Sequence, residues 1–158
     1  MVLMTKEEIT VSQTVQDVLN KQIASWTVLY VKLHNYHWYV KGSQFFTLHV
    51  KFEELYTNAV TTIDELAERI LTLGKAPVST YQEYINNSRI KEIKTEGVED
   101  LQLVNAILDD FSTLIEIERE IMETTAKNGD DGTNDMINKF MQFKEKNTWM
   151  LRAFCGKS

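Results

Sequence analysis

Residues His37–Glu68 read HWYVKGSQFFTLHVKFEELYTNAVTTIDELAE, and they hold two of the chain's three histidines together with the carboxylates Glu53, Asp64 and Glu68. Lys41-Gly42-Ser43 marks a helix end followed by a serine suited to cap a second helix. His49 and Glu53 then fall four residues apart in the first turns of that helix, and so on one face. Asp64 and Glu68 repeat the spacing further along. At 3.6 residues per turn these four positions lie within an arc roughly 100° wide. Imidazole and carboxylate together form a mixed nitrogen and oxygen donor set that suits iron, zinc or manganese.

Fifteen residues separate His49 from Asp64, which is about 22 Å along a helix axis. No single ion, and no pair of ions roughly 4 Å apart, reaches both. Either the two halves are unrelated, or a second copy of the helix lies antiparallel and brings its own Asp64 and Glu68 to His49 and Glu53. The four positions average near Asn58, so a twofold axis there makes two identical sites. A twofold contact generates such reciprocal pairs without further design.

The remaining sequence sets the frame. A chain of 158 residues fits one domain with one core. Hydrophobic residues at 43% and charged residues at 25% are ordinary globular values. One proline, Pro77, and six glycines leave little to interrupt long helices. The lone Cys155 makes no intrachain disulfide and fits a reducing compartment. The opening MVLMTKEEITVSQ lacks the pattern of a secretory signal, and no apolar run reaches the length of a membrane span. Cytoplasm is the expected location. A net charge of −6, with only Lys6 among residues 1–11, supplies no basic patch for nucleic acid. An acidic surface does attract cations.

Apolar residues at three- and four-residue steps predict four long helices. The first runs from about Ser12 to Lys41, after a short tail over 1–11, with Val15, Val18, Leu19, Ile23, Trp26, Leu29 and Leu33 on its stripe. The second covers about Phe46 to Leu73 and stops at Gly74. A long connection over 75–95 has room for a short helix from Thr80 to Asn87. The third spans about Val98 to Lys127, with Leu101, Val104, Leu108, Phe111 and Leu114 along it. Asn128-Gly129-Asp130-Asp131-Gly132 breaks it, and the fourth covers about Asn134 to Phe154, with Ile137, Phe140, Trp149 and Met150. Residues 1–158 thus read as one all-α domain, two hairpins joined by a crossover as in ferritin-like bundles. The usual di-iron site of such bundles needs Glu-x-x-His on two helices. Here the residues three before the histidines are Val31, His34 and Phe46, so that site is absent.

LHNYHWYVKGSQFFTLHVKFEELY, followed by DELAERILTLGKAPVSTYQEY, resembles the Dps proteins, the miniferritins of starved and oxidatively stressed bacteria. NGDDGTNDM and WMLRAF extend the likeness toward the C-terminus. The resemblance implies a ferritin-like four-helix bundle with a short helix in the crossover, assembled as a hollow dodecamer. It implies a ferroxidase that oxidises Fe(II), often with hydrogen peroxide, and stores ferric mineral. By the same resemblance His37, His49 and Glu53 come from one subunit and Asp64 and Glu68 from its neighbour. Glu53 stands where many relatives have aspartate. Carboxylates in the region of Asp130, Asp131 and Asp135 would line threefold pores that admit Fe(II), and Trp38 matches a tryptophan thought to intercept oxidising equivalents.

Each of these residues also has an ordinary reading. A single histidine is more often structural than ligating, and a lone acidic pair is more often a solvated face. Asp64 and Glu68 are, however, like charges at i, i+4, which costs a little helix stability and is relieved by a cation. Glu65 and Arg69 read as an exposed helix ion pair, and His34 as a structural neighbour of the site. Trp38 suits packing at a dimer contact equally well, and Cys155 reads as an inert packing residue. The family's namesake DNA binding is disfavoured: members that bind DNA commonly use a lysine-rich tail that this sequence lacks. A dodecamer would carry a formal charge of about −72, which opposes phosphate.

Overall fold

The computed structural model describes residues 6–94, 96 and 99–157, with side chains from residue 15 onward. Among them the regular structure is five helices and no strand: α1 (Lys6–Tyr39), α2 (Phe45–Thr72), α3 (Tyr81–Asn87), α4 (Asp100–Lys127) and α5 (Asp131–Phe154). α1 packs on α2 and α4 on α5, giving two hairpins; α1 also packs on α4, and α3 lies against α1 in the crossover. Val15, Val18, Leu19, Ile23, Trp26, Leu29 and Leu33 of α1 are buried as their spacing predicts. Each full burial of such a side chain stabilises by about 1.5–3 kcal/mol. The stripe, more than helix propensity, therefore holds the helix in place.

The boundaries differ from expectation where local rules compete. α1 starts at Lys6 instead of near Ser12; no glycine or proline intervenes to stop it. Residues 6–11 of the expected tail are therefore helical, and residues 1–5 lie outside the described residues. Gln44, not Ser43, is the N-cap residue of α2, and its side chain makes no capping bond. The core face of α4 runs through Leu103, Val104, Ile107 and Phe111, leaving Leu101 exposed, and Trp149 and Met150 of α5 are exposed as well. α5 begins at Asp131, because the carboxylate of Asp130 accepts the Thr133 backbone N–H at 3.1 Å and caps it.

Gly74 ends α2 with a φ of 74°, and the N–H of Lys75 donates back to Ile70 at 3.0 Å. That left-handed residue is the sort of helix stop glycine permits. The crossover is pinned to α1: the Val78 N–H donates to Asn20 Oδ1 and the Arg89 N–H to Ser25 Oγ, each at 3.0 Å. Thr80 and Glu83 form a reciprocal capping box at the start of α3.

Polar groups also occupy the bundle interior. Lys144 of α5 and Glu118 of α4 are fully buried and form an ion pair. Gln22 donates to Glu118 at 2.9 Å, Lys144 donates to the Phe140 carbonyl at 2.9 Å, and its ammonium lies 5.0 Å from the centre of the Trp26 ring. Burial pushes the Glu118 carboxyl up and the Lys144 ammonium down, against their mutual attraction. Lys32 and Asp110 make a second, nearly buried pair between α1 and α4, at 2.5 Å.

Candidate metal centre

The α1–α2 hairpin turns over residues 40–44 and so faces the end of one helix with the start of the next. His37, in the last turns of α1, thereby meets His49 of α2. The rings stack with centroids 3.6 Å apart and planes inclined by 15°. Nδ1 of His37 bonds the His49 carbonyl at 2.7 Å, and Nδ1 of His49 bonds the His37 carbonyl at 2.8 Å. A carbonyl only accepts, so each Nδ1 carries a proton, and in the neutral ring the lone pair is then on Nε2. Such an N–H to carbonyl bond fixes both the tautomer and the ring orientation of a ligating histidine. The His37 carbonyl belongs to the last turn of α1, where helical partners run out, so the bond from His49 also satisfies a terminal acceptor.

Glu53 lies one turn beyond His49 and is exposed. Desolvation, then the Glu53 charge, raises the neighbouring Tyr56 phenol above its ordinary value. Asp64 and Glu68 are exposed further along α2. Among the described residues no hydrogen bond or ion pair engages the carboxylates of Glu53, Asp64 or Glu68. Nor do any three His, Cys, Asp or Glu side chains of the described residues converge on one point. The structure therefore brings His37 and His49 together and leaves Asp64 and Glu68 apart from them within one chain.

His34 is an aromatic neighbour of this pair. Its ring stacks on Tyr56 at 4.0 Å and lies 5.2 Å from Trp38, while its Nδ1 donates to the Tyr30 carbonyl at 3.0 Å. Trp38 itself is 68% exposed, so in the single chain it is a surface group, not core. The sequence spacing of Tyr30, His34 and Trp38, each four apart, contained the signal for this shared face.

At the α4–α5 junction the three aspartates have unequal surroundings. Asp130 accepts from Arg69 at 2.9 Å and from the Thr133 hydroxyl at 2.5 Å. Burial alone would raise its carboxyl, but these bonds together hold it below the ordinary value. Asp131 and Asp135 are exposed, and Asp135 pairs with Lys139 at 3.0 Å. Arg69 was expected to pair with Glu65; it reaches instead across to Asp130 and Thr133 of the other hairpin. Gly132 makes room for it, since a Cβ there would stand 2.8 Å from the guanidinium.

The fold is that of a ferritin-like protein, and a ferritin-like domain model matches residues 16–158. General stress protein 20U of Bacillus subtilis is 46% identical over 145 residues, covering 92% of this chain and 99% of that protein. DNA protection during starvation protein 2 of Bacillus anthracis is 48% identical, again covering 92% and 99%. Among solved structures, a Dps protein from Bacillus brevis superposes with a TM-score of 0.90 at 41% identity, covering 97% of this chain and 99% of that one. The Vibrio cholerae Dps protein, described as a member of a broad superfamily of ferritin-like diiron-carboxylate proteins, gives a TM-score of 0.90 at 36% identity and 98% coverage of both chains. The chain belongs to the Dps family.

Proposed function

We infer that the protein is an iron-storing ferroxidase working in the cytoplasm, which oxidises Fe(II) with hydrogen peroxide and holds the ferric product inside a hollow dodecamer. One observation carries the reading. Two histidines are locked through Nδ1, leaving Nε2 of each without a bond among the described residues, and α2 presents uncommitted Asp64 and Glu68 carboxylates that its own chain cannot bring to them. In the assembled protein His37, His49 and Glu53 meet the partner subunit's Asp64 and Glu68 across a twofold axis. Exposed Trp38 and Phe46, beside the two histidines in sequence, supply apolar surface for that contact. The mixed donor set binds Fe(II) as substrate, and its carboxylates favour the ferric product because added positive charge is better matched by anionic oxygen. Asp131 and Asp135, with Asp130 held in its cap, form the acidic approach for Fe(II).

Subunit mixing tests the geometry. His49→Ala and Asp64→Ala should each abolish ferroxidation when assembled alone. Unfolded and refolded together in equal amounts, with mixed assembly confirmed by mass spectrometry, they form mixed dimers in about half of cases. One of the two sites in each mixed dimer is then intact, so about a quarter of all sites should regain activity. A site within one chain cannot be rescued this way, and activity staying at the level of the separate mutants would refute the shared site.

The relatives' names favour a second reading, direct protection of DNA. The net charge of −6 opposes it, because phosphate affinity is built from neutralising lysines and arginines. Duplex DNA should run unretarded in a gel shift at low salt without divalent ions, and retardation there would reinstate that role.

A further inference from the structure

A small chamber lies beside the buried ion pair at the centre of the bundle. Its volume is about 60 Å³, and Trp26, Asn58, Thr62, Phe140, Phe143 and Lys144 line it. Liquid water takes about 30 Å³ per molecule, so the space suits about two waters. Asn58 and Phe143 also line a groove of about 260 Å³ between α2 and α5, together with Lys51, Glu54 and Met150. The chamber and the surface groove therefore share part of one wall.

The chamber's donors outnumber their acceptors. Trp26 is 1% exposed, and its indole N–H meets no hydrogen-bond acceptor among the described residues. An orphaned buried donor costs about 1–3 kcal/mol. Lys144 carries three N–H bonds; Glu118 and the Phe140 carbonyl take two of them, which leaves one. The ammonium stands 5.0 Å from the centre of the Trp26 ring, so both donors border the same small space. Glu118 already neutralises Lys144, and a further buried anion would lack a counter-charge at a cost of several kcal/mol. A neutral, water-sized acceptor satisfies both donors without that cost. Among the described residues, Lys144 is also the one member of the lining that bonds Glu118.

We propose that the chamber is a water-binding site entered from the α2–α5 groove, and that Lys144 relays protons through it between Glu118 and solvent. On release, the Lys144 ammonium gives a proton to chamber water, and the resulting amine takes the proton of the Glu118 carboxyl. Lys144 ends unchanged, Glu118 ends as the carboxylate, and one proton has moved to water; uptake is the reverse. The ionisation of both partners suits this exchange. Burial pushes the Glu118 carboxyl up to about 7 against the pull of Lys144 and Gln22, with Glu145 adding to the rise, and burial also lowers the Lys144 ammonium. The relay uses no iron and stands apart from the ferroxidase reading.

Hydrogen exchange at the Trp26 indole tests the water site. Ultraviolet resonance Raman separates N–H from N–D indole, and the exposed Trp38 and Trp149 exchange at once on transfer to heavy water. Trp26 should give a slower phase that persists when Trp38→Phe and Trp149→Phe are combined. Its rate should not change with urea below the unfolding transition, because water reaches the indole without unfolding. A rate that climbs with urea at the slope of global unfolding overturns the proposal, and this needs no substitution in the core. Thr62→Ile, which fills the chamber, should convert wild-type exchange into that urea-dependent kind; overpacking costs about 1–3 kcal/mol, and if the variant does not fold the wild-type series decides alone. Unchanged exchange in folded Thr62→Ile also overturns the site.

A stopped-flow pH drop through neutrality, read in the infrared, tests the relay. The band of the protonated Glu118 carboxyl, identified by its loss in Glu118→Gln, should appear in wild type much faster than the protein unfolds. Lys144→Arg keeps the charge but cannot shed a proton, and should slow the band to the rate of unfolding. A wild-type band that appears only with unfolding, or an equally fast band in Lys144→Arg, overturns the relay.

Discussion

Two groups of ionisable side chains in this bundle have opposite fates. Glu118 meets Lys144 and Gln22 in a fully buried cluster that the chain completes by itself. Glu53, Asp64 and Glu68 stay exposed on α2, with carboxylates that no hydrogen bond or ion pair engages among the described residues. Burying a charge without a partner costs several kcal/mol, so the first group had to be closed within the fold. Exposed charges cost little to leave open. The contrast separates charge used to build the bundle from charge left for something outside the chain, and single substitutions should report on the two groups very differently.

Lys144→Met should have the largest effect. It leaves Glu118 buried and unpaired, a loss of about 3–5 kcal/mol for breaking one partner of a buried pair. Urea unfolding at fixed protein concentration measures it, concentration being held because any assembly would add to apparent stability. Adding Glu118→Met to the same chain should recover most of the loss, since an apolar pair of similar volume needs no counter-charge. If the double variant is as unstable as the single one, volume and not charge governs the site.

Asp130 is intermediate, part capping residue and part tether between the hairpins. Asp130→Ala removes the N-cap of α5 and the partner of Arg69, and should cost about 1–2 kcal/mol at neutral pH, near the upper range for a lost cap. The pH dependence has a fixed sign. Because the folded carboxyl is held below its ordinary value of 3.8, its contribution is fully present above that value and is lost as pH falls through the folded one. Wild type and variant should therefore converge in stability in acid. A gap that stays constant down to that range would mean ionisation of Asp130 does not matter.

Several features of both groups could be read before any coordinates. Gly74 and Pro77 mark the end of α2, the connection over 75–95 leaves room for a short helix from Thr80 to Asn87, and the helix period gives the shared face of Glu53, Asp64 and Glu68. Lys144 is legible too: it falls in step with the buried Ile137, Met141 and Leu151, on a stripe where a lysine needs an acid opposite. Other features depend on distance in space. Arg69 had a local candidate in Glu65, but Asp130, 61 residues away, offers a less exposed carboxylate already fixed by its cap. The stacking of His37 on His49 follows from how tightly the hairpin closes, and no spacing rule encodes that. Likewise the start of α1 lacked a stop signal, and absence of a breaker is weaker evidence than its presence.

The smallest effect expected is the one that most directly defines the open group. Asp64→Asn combined with Glu68→Gln removes two charges that repel at i, i+4, and relief of such a pair is worth about 0.2–0.5 kcal/mol in an isolated helix. In metal-free protein the double variant should therefore unfold at the same midpoint as wild type or slightly above it. Zn(II), which binds imidazole and carboxylate without redox chemistry, provides the second half of the test. Metal that binds only the folded protein stabilises it by about 2.7 kcal/mol at a hundredfold excess over its dissociation constant. Wild type should show that upward shift in thermal unfolding, and the double variant should lose most of it. A marked loss of stability without metal would show that these carboxylates already have a partner in the assembled protein. An undiminished zinc shift would show that the metal needs neither of them, and the division between structural and uncommitted charge would then fail at the point where it matters for function.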